Sequence, residues 1–220
     1  MLLQESRMTL EQGVAPAATH PIVVVEGLLA RYGENFELEF SRYRIGPPGD
    51  QFSRPRTTFV VSAFEITRDW LSRELRNLKS DEELALHSRT LHSGKLAHIP
   101  MIDFDNDLPL PMVRELGARV LHRLTVPPRD TETDNHPTLY TFETGRSFHQ
   151  YADVLVSATD WNEFLGNLLL LNPLADRPRV DIRWVGHALN RGYAALRWSR
   201  HTERYVSIPR LVDRSTIPIS

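Results

Sequence analysis

Leu96-Ala97-His98-Ile99-Pro100-Met101-Ile102-Asp103-Phe104-Asp105 is an apolar run that ends in two acids one residue apart. Read as one strand, its alternation puts the Asp103 and Asp105 carboxylates on the same face. Two acids so placed are able to share divalent cations, and phosphoryl-transfer sites hold two metal ions about 3.5–4 Å apart in this way. The triplet does not establish this by itself. With 28 acids in 220 residues, about three or four acid-x-acid triplets arise by chance, most of them solvated surface pairs. The apolar strand in front of this one is what raises it above that background.

Upstream, Ile22-Val23-Val24-Val25 reads as a short buried strand, within a strand-rich region over residues 21–45 that turns around Tyr32-Gly33-Glu34-Asn35. There Phe36, Leu38 and Phe40 alternate with Glu37, Glu39 and Ser41. Gly46-Pro47-Pro48-Gly49 breaks the chain, and Thr57 to Phe64 is β-rich. Trp70, Leu71, Leu75 and Leu78 share one face of a helix predicted from Thr67 to Leu78. Glu82 to His87 gives a second, short helical signal. Downstream, the pattern predicts a helix over Pro111–Leu124, a loop from Pro127-Pro128 to His136, strands at Thr138–Phe142 and Tyr151–Val156, and a helix over Asp160–Leu171. Residues 181–190 suit one more helix, and Ala194–Trp198 with Arg204–Val212 suit a terminal hairpin. Residues 1–20 lack a sustained period and read as a flexible N-terminal tail, leaving 21–220 as one domain. Helices mixed with hairpins predict an α+β fold with a mainly antiparallel sheet.

Bulk properties narrow the chemistry further. There is no cysteine, which excludes disulfides, thiolate zinc sites and iron–sulfur clusters, so a metal here must take oxygen or imidazole ligands. No apolar run approaches the ~18 residues of a membrane span, and no export signal is visible, so a cytoplasmic location without membrane contact is expected. The net charge of −2 gives no global attraction to nucleic acid. Only Lys79 and Lys95 are lysines among 26 basic residues, however, and the remaining arginines are the cations best shaped for bidentate phosphate contacts. A codon bias accounts for the same preference.

Thr144-Gly145-Arg146-Ser147-Phe148-His149 brings small, cationic and imidazole groups into one turn between two predicted strands. Gly145 permits close backbone approach, Arg146 offers a bidentate phosphate contact, and His149 a hydrogen bond to a phosphate oxygen. A lone histidine at a strand start is ordinarily structural; its neighbours argue otherwise here. For a third acid the candidates are Asp181 and Asp176, and Asp181 is preferred because it directly follows an apolar residue and leads into Arg183-Trp184. Trp184 and His187 read as packing residues of the 181–190 helix. The remaining histidines, including His98 and His122, show no metal-binding spacing.

A hydrophobic strand ending in Asp103-Phe104-Asp105, then Thr144-Gly145-Arg146-Ser147-Phe148-His149, then Val180-Asp181 resembles the three ordered motifs of the archaeo-eukaryotic primase and primase-polymerase superfamily. Leu196-Arg197-Trp198-Ser199-Arg200-His201 before Val206-Ser207-Ile208-Pro209 is similar to the segment that follows the third acid, so the resemblance spans roughly residues 95–212. It implies an N-terminal α/β unit packed on an RRM-like sheet, with a catalytic cleft between them. It further implies a template-dependent nucleotidyltransferase using Mg²⁺ or Mn²⁺, nucleoside triphosphates and a DNA or RNA template. On this resemblance Asp103, Asp105 and Asp181 hold metal; Thr144, Gly145, Arg146, Ser147 and His149 contact phosphates; Arg197, Ser199 and His201 line the nucleotide site; and His149 joins the acids as a catalytic residue.

The sequence also departs from that pattern. A cysteine-based zinc element is excluded, no helicase or ligase domain is attached, and a lysine expected near His201 is missing. These departures bear on autonomous priming more than on nucleotide binding, and the small size implies a protein partner such as a helicase or nuclease. Two other functions remain open at this level: a catalytically silent subunit that binds nucleotide or nucleic acid, and a metal-dependent phosphoesterase using the same acids.

Overall fold

A computed structural model describes residues 17–44, 56–105, 108–124 and 136–217. The chain forms five helices and nine strands among these: α1 (Ile22–Tyr32), β1 (Phe36–Arg44), β2 (Arg56–Ser62), α2 (Arg68–Arg76), β3 (Glu82–His92), β4 (Lys95–His98), β5 (Met101–Asp103), α3 (Leu110–Leu121), β6 (Thr138–Glu143), β7 (Phe148–Ala152), α4 (Ala158–Leu170), α5 (Ile182–Arg191), β8 (Ala195–Arg197) and β9 (Arg210–Thr216). They build an α+β fold with two antiparallel sheets. The first has the order β2-β1-β3-β4 with β8 also on β3, and the second the order β5-β7-β6-β9.

Side-chain alternation explains the layering. Leu38 and Phe40 of β1, Leu84 and Leu86 of β3, and Leu196 with Trp198 share a buried cluster with Met101, Tyr140, Phe142 and Tyr151 of the second sheet and with residues of α1 and α2. The intervening residues Ile102, Leu139 and Ala152 join a second cluster with α3, α4 and α5. The second sheet is therefore buried on both faces. Asp103, two residues beyond Met101 on a three-residue strand, lies on the side of the inter-sheet core, at its margin.

Four expectations are corrected. Ile22-Val23-Val24-Val25 opens helix α1 because Val25, Leu28, Leu29 and Tyr32 recur at helical spacing, which outweighs the strand preference of three valines. Glu82–His87 is the first half of β3, the central strand. Its helix-favouring composition is overridden by pairing with β1 on one edge and with β4 and β8 on the other. The terminal hairpin does not form, since β8 pairs with β3 and β9 with β6, in different sheets. The run Leu96–Asp105 is likewise two strands, and the chain crosses from one sheet to the other at Ile99-Pro100.

Other boundaries agree within a few residues. Thr67 caps α2 by accepting the Trp70 N–H, as Ser157 caps α4 through Asp160. Of the expected tail, residues 17–19 form a 3-10 turn, and His20 is buried with its Nε2 2.8 Å from the Trp198 carbonyl. The Gly46–Gly49 break and most of the loop before His136 lie outside the described residues. Among the described residues, no helix is long and apolar enough to cross a membrane.

Helix α3 reaches the second sheet because Gly117 has no side chain. A Cβ there would fall 2.0 Å from Gln150 Oε1, and Gln150 is itself pinned by donating to the Val113 carbonyl and Thr141 Oγ1. Gly117→Ala is therefore expected to destabilise the fold by ~1–3 kcal/mol. Gly166→Ala on α4, where a Cβ meets nothing within 4 Å, is expected to stabilise by ~0.5–1 kcal/mol. Thermal melts of the two variants check this; equal midpoints would contradict the close approach.

Candidate active site

The backbone of Asp103-Phe104-Asp105 is clasped from both sides. On one side Asp103 pairs with His149 across β5 and β7, and the Phe104 N–H donates to the Phe148 carbonyl at 3.0 Å. On the other, Phe104 bridges Val180, the Asp181 N–H donates to the Asp103 carbonyl at 3.0 Å, and the Asp105 N–H donates to the Arg179 carbonyl at 2.9 Å. These bonds place Asp181 beside Asp103 despite the long sequence separation. Asp176 is elsewhere, exposed and engaged with the backbone of Arg177.

Asp103, Asp105, Asp181, Thr144, Arg146, Ser147, His149 and Arg197 all line one cleft of about 600 Å³. Six arginines and three carboxylates stand on its walls, so the cleft is cationic in a chain whose net charge is −2. Such a surface suits a polyanion, with an acid patch at one place within it.

Burial pushes the Asp103 carboxyl up to about 8, helped by repulsion from Asp181 and Asp105 and opposed by Arg197. Burial holds His149 down to about 3, with Arg197 acting in the same direction, so its imidazole is neutral. Its Nε2 lies 3.6 Å from Asp103 Oδ1, while its buried Nδ1 has no hydrogen-bond partner. A buried ring nitrogen left unpaired carries a desolvation cost.

Asp181 caps the helix that follows it. Its Oδ1 accepts the N–H groups of Arg183 at 2.8 Å and Trp184 at 3.1 Å, capping α5, and Oδ2 is the oxygen outside the cap. The three acids supply hard oxygen donors of the kind Mg²⁺ and Mn²⁺ prefer, and their mutual repulsion around Asp103 is what a cation would relieve, so the residues fit such an ion. Among the described residues, no group of three or more His, Asp or Glu side chains is placed to hold a metal ion by itself. An ion would therefore draw further oxygens from water and substrate, the usual arrangement for Mg²⁺.

The turn before β7 is built locally. Thr144 Oγ1 donates to the Ser147 carbonyl at 3.0 Å, and Gly145 has φ +93°, with a hypothetical Cβ 2.8 Å from Ser207 Oγ. Gly145 therefore serves the turn and its close approach to residues 206–207; it does not line the cleft. Ser199 and His201 are placed by a separate set of bonds. Buried Ser199 donates through Oγ to the Glu83 carboxylate and accepts the Leu84 N–H, while His201 donates its backbone N–H to Glu83. Neither lines the cleft. Buried Glu83 also takes the N–H and hydroxyl of Thr202, so it anchors the 199–202 segment.

That anchor bears on Arg197, whose Nη1 donates to the Ser199 and Ser207 carbonyls and whose guanidinium lies 4.0 Å from the centroid of Tyr205. Sequence reasoning missed Glu83 because nothing in Glu82-Glu83 distinguishes a buried acid from an exposed one. It also missed Arg56, Tyr43 and Tyr205 on the cleft wall, which no local motif marks. Trp184 and His187, read as packing residues, line the cleft as well, with Trp184 Nε1 donating to the Ala195 carbonyl at 2.9 Å.

A family model described as AEP-like, archaeo-eukaryotic primase 1D-like, matches residues 62–210. The chain belongs to the archaeo-eukaryotic primase-like family. No curated protein and no solved structure matches it. The family match runs from the end of β2 to the start of β9 and so contains all three acids, the Thr144–His149 turn and Arg197.

The shifted groups set a pH dependence. His20 and His98 are held down to about 4 by burial, and His149 lower still, so the unfolded chain takes up protons first and stability falls as pH drops below about 6.5. Asp103 acts oppositely: its raised value stabilises the protonated fold, and that contribution is lost as pH rises towards about 8. Between pH 6.5 and 8.5 in chelator, the thermal midpoint of the wild type should therefore fall by several degrees, whereas that of Asp103→Asn should stay nearly level. Parallel profiles for the two proteins would contradict the burial of this carboxyl.

Proposed function

We propose that this chain is a template-dependent nucleotidyltransferase that joins nucleotides using Mg²⁺ or Mn²⁺. The observation that carries this reading is the meeting of Asp103, Asp105 and Asp181 with neutral His149 in one arginine-lined cleft. The element order β5-α3-β6-β7-α4 followed by the Val180 bridge to Phe104 is read as the RRM-like half, with Val180 in the place of a fourth strand beside β5. The first sheet with α1 and α2 is read as the N-terminal unit.

In the reaction, a strand's terminal hydroxyl oxygen forms a bond to the α-phosphorus of a nucleoside triphosphate, and the bond from that phosphorus to pyrophosphate breaks. Divalent ions bound at these acids with the help of water and substrate oxygens would neutralise phosphate charge and favour ionisation of the hydroxyl. The protein's own contribution is positioning. Arg197 is tethered in the cleft, and Arg146 stands at the turn above β7, so the two offer guanidinium donors to the triphosphate. Neutral His149, whose Nε2 faces Asp103, stands beside the acids without adding a charge that would repel the metal ions. Thr144 and Ser147 hold the turn in place.

Extension of a labelled primer on DNA and RNA templates with ribo- and deoxyribonucleotides, in Mg²⁺ and in Mn²⁺, tests the proposal. Asp103→Asn should abolish product, and His149→Ala should slow incorporation by about 10²-fold, the range for losing one transition-state donor. His122→Ala, on the exposed end of α3, should change neither. No product from the wild type under any condition, with triphosphate still bound, would favour a silent binding subunit instead.

A further inference from the structure

Helix α5 begins at Asp181 and carries Arg183, His187 and Arg191 at intervals of four residues, and all three line the cleft. Four residues of α-helix rise about 6 Å, so the row marks out about 12 Å along one face. Arg191 therefore lies about 15 Å along the helix axis from the acid that caps it. A triphosphate seated with its α-phosphate at the acids does not reach that far. Its ready donors, moreover, come from elsewhere in the cleft: Arg146 and His149 from the turn and β7, Arg197 from β8.

Arg183 is 68 % exposed and touches only Asp181, at 3.8 Å, among the described ion pairs, so it is accessible to a ligand. Past Gly192, Tyr193 continues the wall, held by stacking on His87 with ring centroids 4.2 Å apart and by Arg89 above it. A row of cations stepping away from an acid patch complements an extended polyanion.

We propose that α5 is the track for the phosphate backbone of a nucleic-acid strand whose end lies at Asp103 and Asp181, with Arg183 and Arg191 contacting separate phosphates. This rests on the reading of the cleft as a nucleotidyltransferase site and adds the path of the strand. Phosphate contacts position a strand without reading its sequence, so the track serves DNA and RNA alike.

The test is fluorescence anisotropy with labelled oligodeoxythymidylate and oligouridylate of about 12 nucleotides, without triphosphate or divalent cation, over a salt series. Omitting both makes the result independent of whether chemistry occurs. Each of Arg183→Ala and Arg191→Ala should weaken binding of both probes and reduce the slope of log affinity against log salt by about 0.7, the value for one phosphate contact on a single strand. The double variant should lose about twice that. The Arg183→Lys/Arg191→Lys pair should keep the wild-type slope, which a loss of helix structure would not allow, and Arg76→Ala, on α2 away from the cleft, should also keep it. Loss with one probe only would assign the track to that polymer. An unchanged slope in the double alanine variant with both probes would overturn the proposal. Slope loss in a protein whose wild type incorporates nothing would refute nucleotide transfer while supporting the track.

Discussion

The peptide unit of Asp103 is the constraint on which the site depends. One edge of β5 is taken by β7, which delivers His149, and the Asp103 carbonyl on the other edge is taken by the N–H of Asp181. The two bonded edges bring together three segments that are far apart in sequence, and none of them carries the site alone. Because β5 is only three residues long, its end coincides with the margin of the core between the sheets. The alternation that buries Met101 thus presents Asp103 to the cleft.

A cluster of acids at a core margin opposes stability, and the surroundings show how it is held. Repulsion and desolvation raise the Asp103 carboxyl, and Arg197 opposes that rise from a position fixed by two backbone carbonyls and the Tyr205 ring. The carbonyls belong to a segment anchored by Glu83, which accepts hydrogen bonds from Ser199, His201 and Thr202. Order therefore passes from Glu83 through the 199–202 segment to the cation facing the acids.

Much of this was legible in the sequence, and the failures have physical causes. Alternation in Phe36–Phe40 and helical spacing around Trp70 gave elements that the fold contains, as did the strand expected at Thr138–Phe142 and the helix expected at Asp160–Leu171. Ile22–Val25 and Glu82–His87 misled because local preference ran against partners that a linear reading does not contain: α1 packs across Tyr140 at Gly27, and β3 has strands on both edges. The ordered motifs brought Asp103, Asp105, Asp181, Arg146 and His149 to one cleft. Ser199 and His201 resembled site residues, yet Ser199 Oγ and the backbone N–H of His201 bond Glu83, a residue with no sequence mark of its own. The α5 row of Arg183, His187 and Arg191 acquires meaning only once Asp181 is seen to cap that helix beside Asp103.

The account turns on the Asp181 charge acting with Asp103 and Asp105, separately from its capping of α5. Asn is as good a cap as Asp, so Asp181→Asn removes the charge and keeps the helix start. Titration of Mn²⁺ into the wild type and this variant at pH 8, followed by electron paramagnetic resonance, measures the difference directly. The account predicts clearly weaker Mn²⁺ binding in Asp181→Asn with a thermal midpoint close to that of the wild type; equal Mn²⁺ affinity in the two proteins would contradict it.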